Sequence, residues 1–207
     1  MSSAPRRPNP ASPMSRPSRV AIFGGTFDPI HLGHLEIANK ARTALQLDRV
    51  IFLPCRQSPH KSSAPGASDE QRLEMIQLVS KDHPWAEVSD HELSQAPPSY
   101  TWESVRHFKT TLPESTRLFL ILGLDQWTSL PTWAHPERIA RDVELIVVGR
   151  NGTPSPRVGY QAHFLPGNHP ASSSEIRSAL ASGEDPKWLP GKIRTFLSEN
   201  GLYSDIA

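Results

Sequence analysis

One cysteine, Cys55, is all that the 207 residues contain. That excludes an internal disulfide framework and any zinc site built from clustered thiolates, and it suits a reducing compartment. Long apolar runs are also missing. None approaches the roughly 20 residues of a membrane-spanning helix, and there is no hydrophobic signal core, so a cytoplasmic location is expected. Charge of either sign is not in excess: 22 Lys and Arg stand against 21 Asp and Glu. A net charge of +1 creates no field that asks for nucleic acid or an anionic membrane as partner.

Acids are absent from residues 1–18, "MSSAPRRPNPASPMSRPS", and so is any helical or strand period. The arginine and serine content fits an organelle-targeting peptide, but the prolines oppose the amphipathic helix such a peptide forms. A disordered tail over 1–18 is expected, with Met14 an alternative start, followed by one domain over 19–207.

What is present from Arg19 onward is an alternation of strand and helix. "RVAIF" and "RVIFLP" (49–54) are short buried strands, "AEVSD" a weaker one, and "RLFLIL" (117–122) and "VELIVVG" (143–149) are apolar throughout, as strands covered on both faces are. Between them, Leu35, Ala38, Ala41 and Leu45 fall on one helical face. Ser68 with Gln71 forms a capping box for a helix that would turn Leu73, Ile76 and Val79 inward. A helix from about Tyr100 would carry Trp102, Val105 and Phe108 on one side. A second capping box, Ser172 with Glu175, opens a helix stopped by Gly183, and a last one has Pro190 in its first turn. The expected fold is α/β: a single Rossmann-like, doubly wound parallel sheet with ligands at the carboxyl ends of its strands. "GGTFDP", "GLD" and "GRNG" all follow strands and should converge on that rim.

The stretch "FGGTFDPIHLGH" (23–34) carries the densest chemistry. Glycines directly after a strand let the main chain approach an anion, and a helix beginning near His34 adds its positive end. Gly33 removes bulk between His31 and His34, whose imidazoles can donate to phosphate oxygens. A zinc site would need three or four ligands, and no cysteine pair or spaced glutamate accompanies the two histidines. Asp28, next to Pro29, is either a functional carboxylate or simply a turn-former. Arg72 is either phosphate-directed or a helix-surface charge.

"GTFDPIHLGH" resembles the signature of the nucleotidyltransferase superfamily with a His-x-Gly-His motif. With "PHK" (59–61), "RLEM" (72–75), "PSYT" (98–101), "GLDQWTSLPTW" (123–133), "SSSEIR" (172–177) and "WLP…NGLY", the chain from Val20 to Tyr203 resembles the bacterial nicotinate mononucleotide adenylyltransferase family. The resemblance implies direct attack of the mononucleotide phosphate on the α-phosphorus of ATP, with no covalent intermediate. It implies Mg²⁺ held mostly by ATP phosphates and water. It gives His31, His34 and Arg177 catalytic roles. The ATP side would comprise Gly24, Gly25, Thr26, Phe27, His31, His34, Asp125 (to a ribose hydroxyl), Ser172, Ser173 and Arg177. Lys61, Tyr100, Thr101 and Trp133 would bind the nicotinate mononucleotide, with Trp133 stacked on the pyridine ring and Trp127 left to packing. The family's threonine is Ser174 here, and its Asp-Thr-Leu after "PSYT" is "ESV". Alternatives are a pantetheine-phosphate adenylyltransferase, preference for the amide mononucleotide, and a catalytically silent nucleotide-binding module that keeps the core alone.

Overall fold

Six strands pair in the order β3-β2-β1-β4-β5-β6, every neighbouring pair parallel, in a computed structural model that describes residues 16–59, 64–149, 154–167 and 169–204. The chain runs β1 (Arg19–Gly25), α1 (Leu32–Leu45), β2 (Arg49–Pro54), α2 (Asp69–Ser80), β3 (Ala86–Val88) and α3 (Thr101–Thr111). It continues through β4 (Arg117–Gly123), α4 (Leu124–Ser129), a short 3₁₀ turn at Leu130–Thr132, α5 (Pro136–Asp142), β5 (Glu144–Gly149), β6 (Ala162–Pro166), α6 (Ser173–Ala181) and α7 (Gly191–Glu199). Residues 1–15 of the expected tail and Lys61 lie outside the described residues, as does "GRNG" beyond Gly149.

The period-2 geometry of each strand divides the core into two layers. On one face Ala21, Phe23, Phe52, Ile121 and Val148 pack against α1, α2, α6 and α7 through Ala38, Ile76, Ile176 and Ile193. On the other, Ile22, Leu53, Leu120 and Val147 meet Val105 and Phe108 of α3, Trp127 of α4 and Ile139 of α5. Trp127 is a core residue, edge-on to Tyr160 and Phe164.

Two local expectations need correction, and one strand was not expected. The inward stripe of α2 is Arg72, Met75, Ile76 and Val79, while Leu73 is only partly covered. Arg72 goes inside because acceptors wait for it: one guanidinium nitrogen donates to the Thr26 carbonyl (2.8 Å) and another to Asp69 (2.5 Å). It is therefore neither a surface charge nor a phosphate ligand. At α6, Ser172 is the N-cap residue but its side chain makes no cap bond, whereas the Ser68–Gln71 box is formed in both directions. The sixth strand, β6, had no expectation at all: "AHFLP" is short and only half-buried along most of its length.

Candidate active site

The strand order reverses between β1 and β4, and the crevice at their carboxyl ends is where a doubly wound sheet binds ligands. Two cavities open there, of about 560 and 510 Å³. They share three lining residues, Gly24, Gly25 and Gln126. A Cβ added at Gly24 would meet no protein atom within 4 Å, because it would point into the opening. At Gly25 it would approach the Phe27 ring to 3.0 Å.

The 510 Å³ cavity holds His31, His34, Glu36, Lys40, Asp125 and His169. His31 is the N-cap of α1, and its backbone N–H donates to His34 Nδ1 (3.3 Å). An occupied Nδ1 acceptor puts the proton of a neutral His34 on Nε2. The two rings stack face to face, centroids 3.7 Å apart at 21°, with Phe23 and Phe27 edge-on to His34. Gly33 therefore does not separate these imidazoles. A Cβ there would come to 3.0 Å from Nδ1 of both His31 and His169, so the missing side chain makes room between those two rings.

His169 is a residue the sequence reading passed over. Its Nδ1 accepts from the Ala171 N–H (3.1 Å), and its Nε2 lies 3.8 Å from Glu36. The signal that could have found it is a histidine three residues before the N-cap of α6, in a loop returning to the same rim.

The 560 Å³ cavity is lined by Thr26, Ser99, Tyr100, Thr101, Trp133 and Glu92, among others. Tyr100 is the N-cap of α3 and supplies no side-chain cap, so the positive end of an 11-residue helix opens on this cavity without a capping oxygen. Ser99 is not the cap either: its hydroxyl accepts from the Arg56 N–H (3.1 Å). Trp133 donates its indole N–H to Ser129 Oγ (3.1 Å), which fixes the plane of the ring. Glu92 had no role assigned from sequence, since "DHELSQ" reads as a polar loop. It is buried at 8 % exposure and accepts from Ser104 Oγ of α3 (2.5 Å). Burial, against the pull of the Ser104 and Ser99 hydroxyls, pushes its carboxyl up to about 7.

Other expected site residues hold the motif turn itself. The Phe27 ring is buried in the core at 2 % exposure, with φ of 51°, so only its main chain faces the rim. Thr26 lines the 560 Å³ cavity, not the one holding the histidines. Ser173 Oγ donates to the Pro29 carbonyl (3.0 Å) and Arg177 to the Asp28 carbonyl (2.6 Å). Ser172, Ser173 and Arg177 line neither cavity. Asp28 resolves to a hub: its carboxylate accepts from Gly66 N–H, Ala67 N–H and the Tyr203 hydroxyl. Among the described residues, no group of three or more His, Cys, Asp or Glu side chains is arranged to hold a metal ion.

Comparison with known proteins agrees with this geometry. A cytidylyltransferase-like family model matches residues 22–179. The probable nicotinate-nucleotide adenylyltransferase of a Dehalococcoides mccartyi strain is 34% identical over 197 residues, covering 89% of this chain and 97% of its own. That of a Thermus thermophilus strain is 37% identical over 188 residues, covering 89% and 99%. In fold, the chain is similar to the Plasmodium falciparum nicotinic acid mononucleotide adenylyltransferase complexed with NaAD. The TM-score is 0.75 at 19% identity, over 90% of this chain and 97% of that one.

Proposed function

This chain belongs to the nicotinate-nucleotide adenylyltransferases, within the cytidylyltransferase-like family, and from that premise we propose that it transfers AMP from ATP to nicotinate mononucleotide. The products are nicotinic acid adenine dinucleotide and pyrophosphate, a step of NAD biosynthesis carried out in the cytoplasm. The observation that carries this reading is the pair of cavities meeting at the main chain of Gly24 and Gly25. Two nucleotides bound one in each would bring their phosphates together there.

ATP occupies the histidine side and the mononucleotide the side of Tyr100, Thr101 and Trp133. The acceptor phosphate attacks the α-phosphorus in line, and the bond to the pyrophosphate leaving group breaks. No covalent enzyme intermediate forms, because catalysis of this kind needs only positioning and charge stabilisation. His34, with Nε2–H as donor, stabilises the charge developing on the transferring group, and His31 supports it. The amides of Gly24 and Gly25 can approach the phosphates because no side chain intervenes. Arg177, Ser172 and Ser173 lie outside both cavities, and their proposed contact with the outer phosphates, where the start of α6 adds its positive end, is made beyond the cavity mouth by exchanging bonds to the motif turn. Asp125 accepts from a ribose hydroxyl. Lys61, outside the described residues, keeps the substrate-phosphate role that the family resemblance implies.

Trp133 offers a flat indole to the electron-poor pyridine ring, and the α3 N-terminus at Tyr100 and Thr101 receives the nicotinate carboxylate. Mg²⁺ would come with ATP and supply neutralisation of phosphate charge, held mostly by the phosphates and water; Glu36 is the cavity carboxylate that would hold those waters.

Pyrophosphate release measured with ATP, Mg²⁺ and either mononucleotide tests the proposal. Turnover with nicotinate mononucleotide is expected. No turnover with either acceptor overturns the enzyme reading, and faster turnover with the amide overturns the acceptor assignment alone.

A further inference from the structure

A buried carboxyl in a cavity assigned to a carboxylate substrate is a conflict of charge. Glu92 lines the same cavity as Ser99, Tyr100 and Thr101 and is bonded to Ser104 in the first turns of α3. It therefore sits against the one positive helix end that the nicotinate carboxylate would use. Two carboxylates sharing a site cannot both ionise cheaply, so one of them takes up a proton. The substrate's acid group, attached to a cationic pyridinium ring, is much the stronger acid, which leaves the proton to Glu92.

The surroundings favour that outcome. Burial is the largest influence and Glu103 of α3 adds a second negative charge, and together they outweigh the Ser104 hydroxyl, whose donated bond favours the ionised form. In the segment before α3, the Ser99 hydroxyl also favours the ionised form, and Asp90 and His91 adjoin Glu92 in the chain. His91 is stacked on His107 of α3 at 3.7 Å, and burial with that neighbouring imidazole holds its pKa down. From the loop after β2, Arg56 is turned to the Gln95 carbonyl (3.1 Å) and to Asp69 (3.5 Å). No cation among the described residues contributes to holding Glu92 ionised.

We propose that Glu92 is a specificity-determining residue of the acceptor cavity: protonated, it admits the acid mononucleotide, and ionised, it turns the acid away while leaving the uncharged amide unaffected. The inference rests on the acceptor assignment made above.

The experiment measures kcat/KM for nicotinate mononucleotide and for nicotinamide mononucleotide between pH 6 and pH 8, and takes their ratio. Both acceptors carry the same phosphate, so its titration cancels in the ratio, as does that of ATP and of the histidines. In the unaltered protein the acid-to-amide ratio is expected to fall about tenfold across that range, as a group titrating near its middle would produce. In Glu92→Gln the ratio should be flat. In Ser104→Ala the fall should move to higher pH, because a donor to the ionised form has been removed. A flat ratio in the unaltered, active protein, or a slope retained in Glu92→Gln, overturns the inference while leaving the acceptor assignment intact. Should Glu92→Gln fail to fold, an unmoved midpoint in Ser104→Ala overturns it. Absence of turnover with both mononucleotides overturns the parent reading and this one with it.

Discussion

The Tyr203 hydroxyl donates to the Asp28 carboxylate at 2.5 Å, across 175 residues of chain. Burial and the adjoining carboxylate push the phenol pKa up, so it remains a proton donor throughout the working range. The same carboxylate accepts the amides of Gly66 (2.9 Å) and Ala67 (3.0 Å). The turn after β1, the loop before α2 and the end of the chain thus meet at one buried side chain. Tyr203→Phe removes one hydrogen bond to a charged group and should lower unfolding stability by about 1.5–3 kcal/mol. Asp28→Ala leaves two main-chain donors without their acceptor and should cost more. Urea unfolding of the two variants checks the order; equal losses would show that Asp28 acts through Tyr203 alone.

His34→Ala is expected to lower kcat by about 10²–10³, the effect of removing one donor to a developing oxyanion. The fold should survive, since the loss is one α1 cap contact, the stack on His31 and edge-on contacts with Phe23 and Phe27. Steady-state kinetics beside a thermal melt separates the two effects. An unchanged kcat rejects the catalytic role.

Gly24→Ala offers a cleaner test of the shared wall. An added methyl meets nothing in the protein within 4 Å, so stability should stay within about 0.5 kcal/mol of the parent, as for substitutions away from packed features. Activity should nevertheless drop sharply, because the methyl occupies the place where phosphates approach the main chain. Retained kcat/KM in a folded variant would move the reacting phosphates away from Gly24.

Glu92 also links stability to pH. Its carboxyl is raised from an ordinary value of 4.5 to about 7 in the fold, mainly by burial. The folded state keeps the proton longer, so the stability it contributes is complete below about pH 4.5 and is lost as pH rises through 7. Glu92→Gln removes that loss. It should exceed the unaltered protein by about 1–3 kcal/mol at pH 8 and match it near pH 4.5. A gain of the same size at both pH values would contradict titration as its cause.

The strands that line the rim were legible because β1, β2, β4 and β5 are apolar runs covered on both faces, and the motif histidines because their spacing is unusual for packing. β6 was not legible, since a half-exposed edge strand of five residues has neither alternation nor a long apolar run. Arg72 and Asp28 resisted assignment for a shared reason. A buried charge is stable only where partners from distant parts of the chain converge, and for these two the partners are Thr26 and Asp69, and Gly66, Ala67 and Tyr203. Glu92 and His169 escaped notice in the same way, each a polar residue in an unpatterned loop that only tertiary placement brings to a cavity. Gly33 does make space, but between His31 and a ring more than a hundred positions away, not between His31 and His34 as expected.

The wall shared by the two cavities is main chain at two of its three positions, Gly24 and Gly25, with Gln126 the third. β1 and the β4–α4 stretch also line both chambers, while much of what distinguishes them is carried by separate segments: α1 and the β6–α6 loop on one side, the loop after β2, the 89–104 segment and Trp133 on the other. The parts carried by separate segments can be altered one chamber at a time. A change of acceptor is a matter of rewriting the 89–104 segment, and the half of the molecule that handles the donor need not be touched.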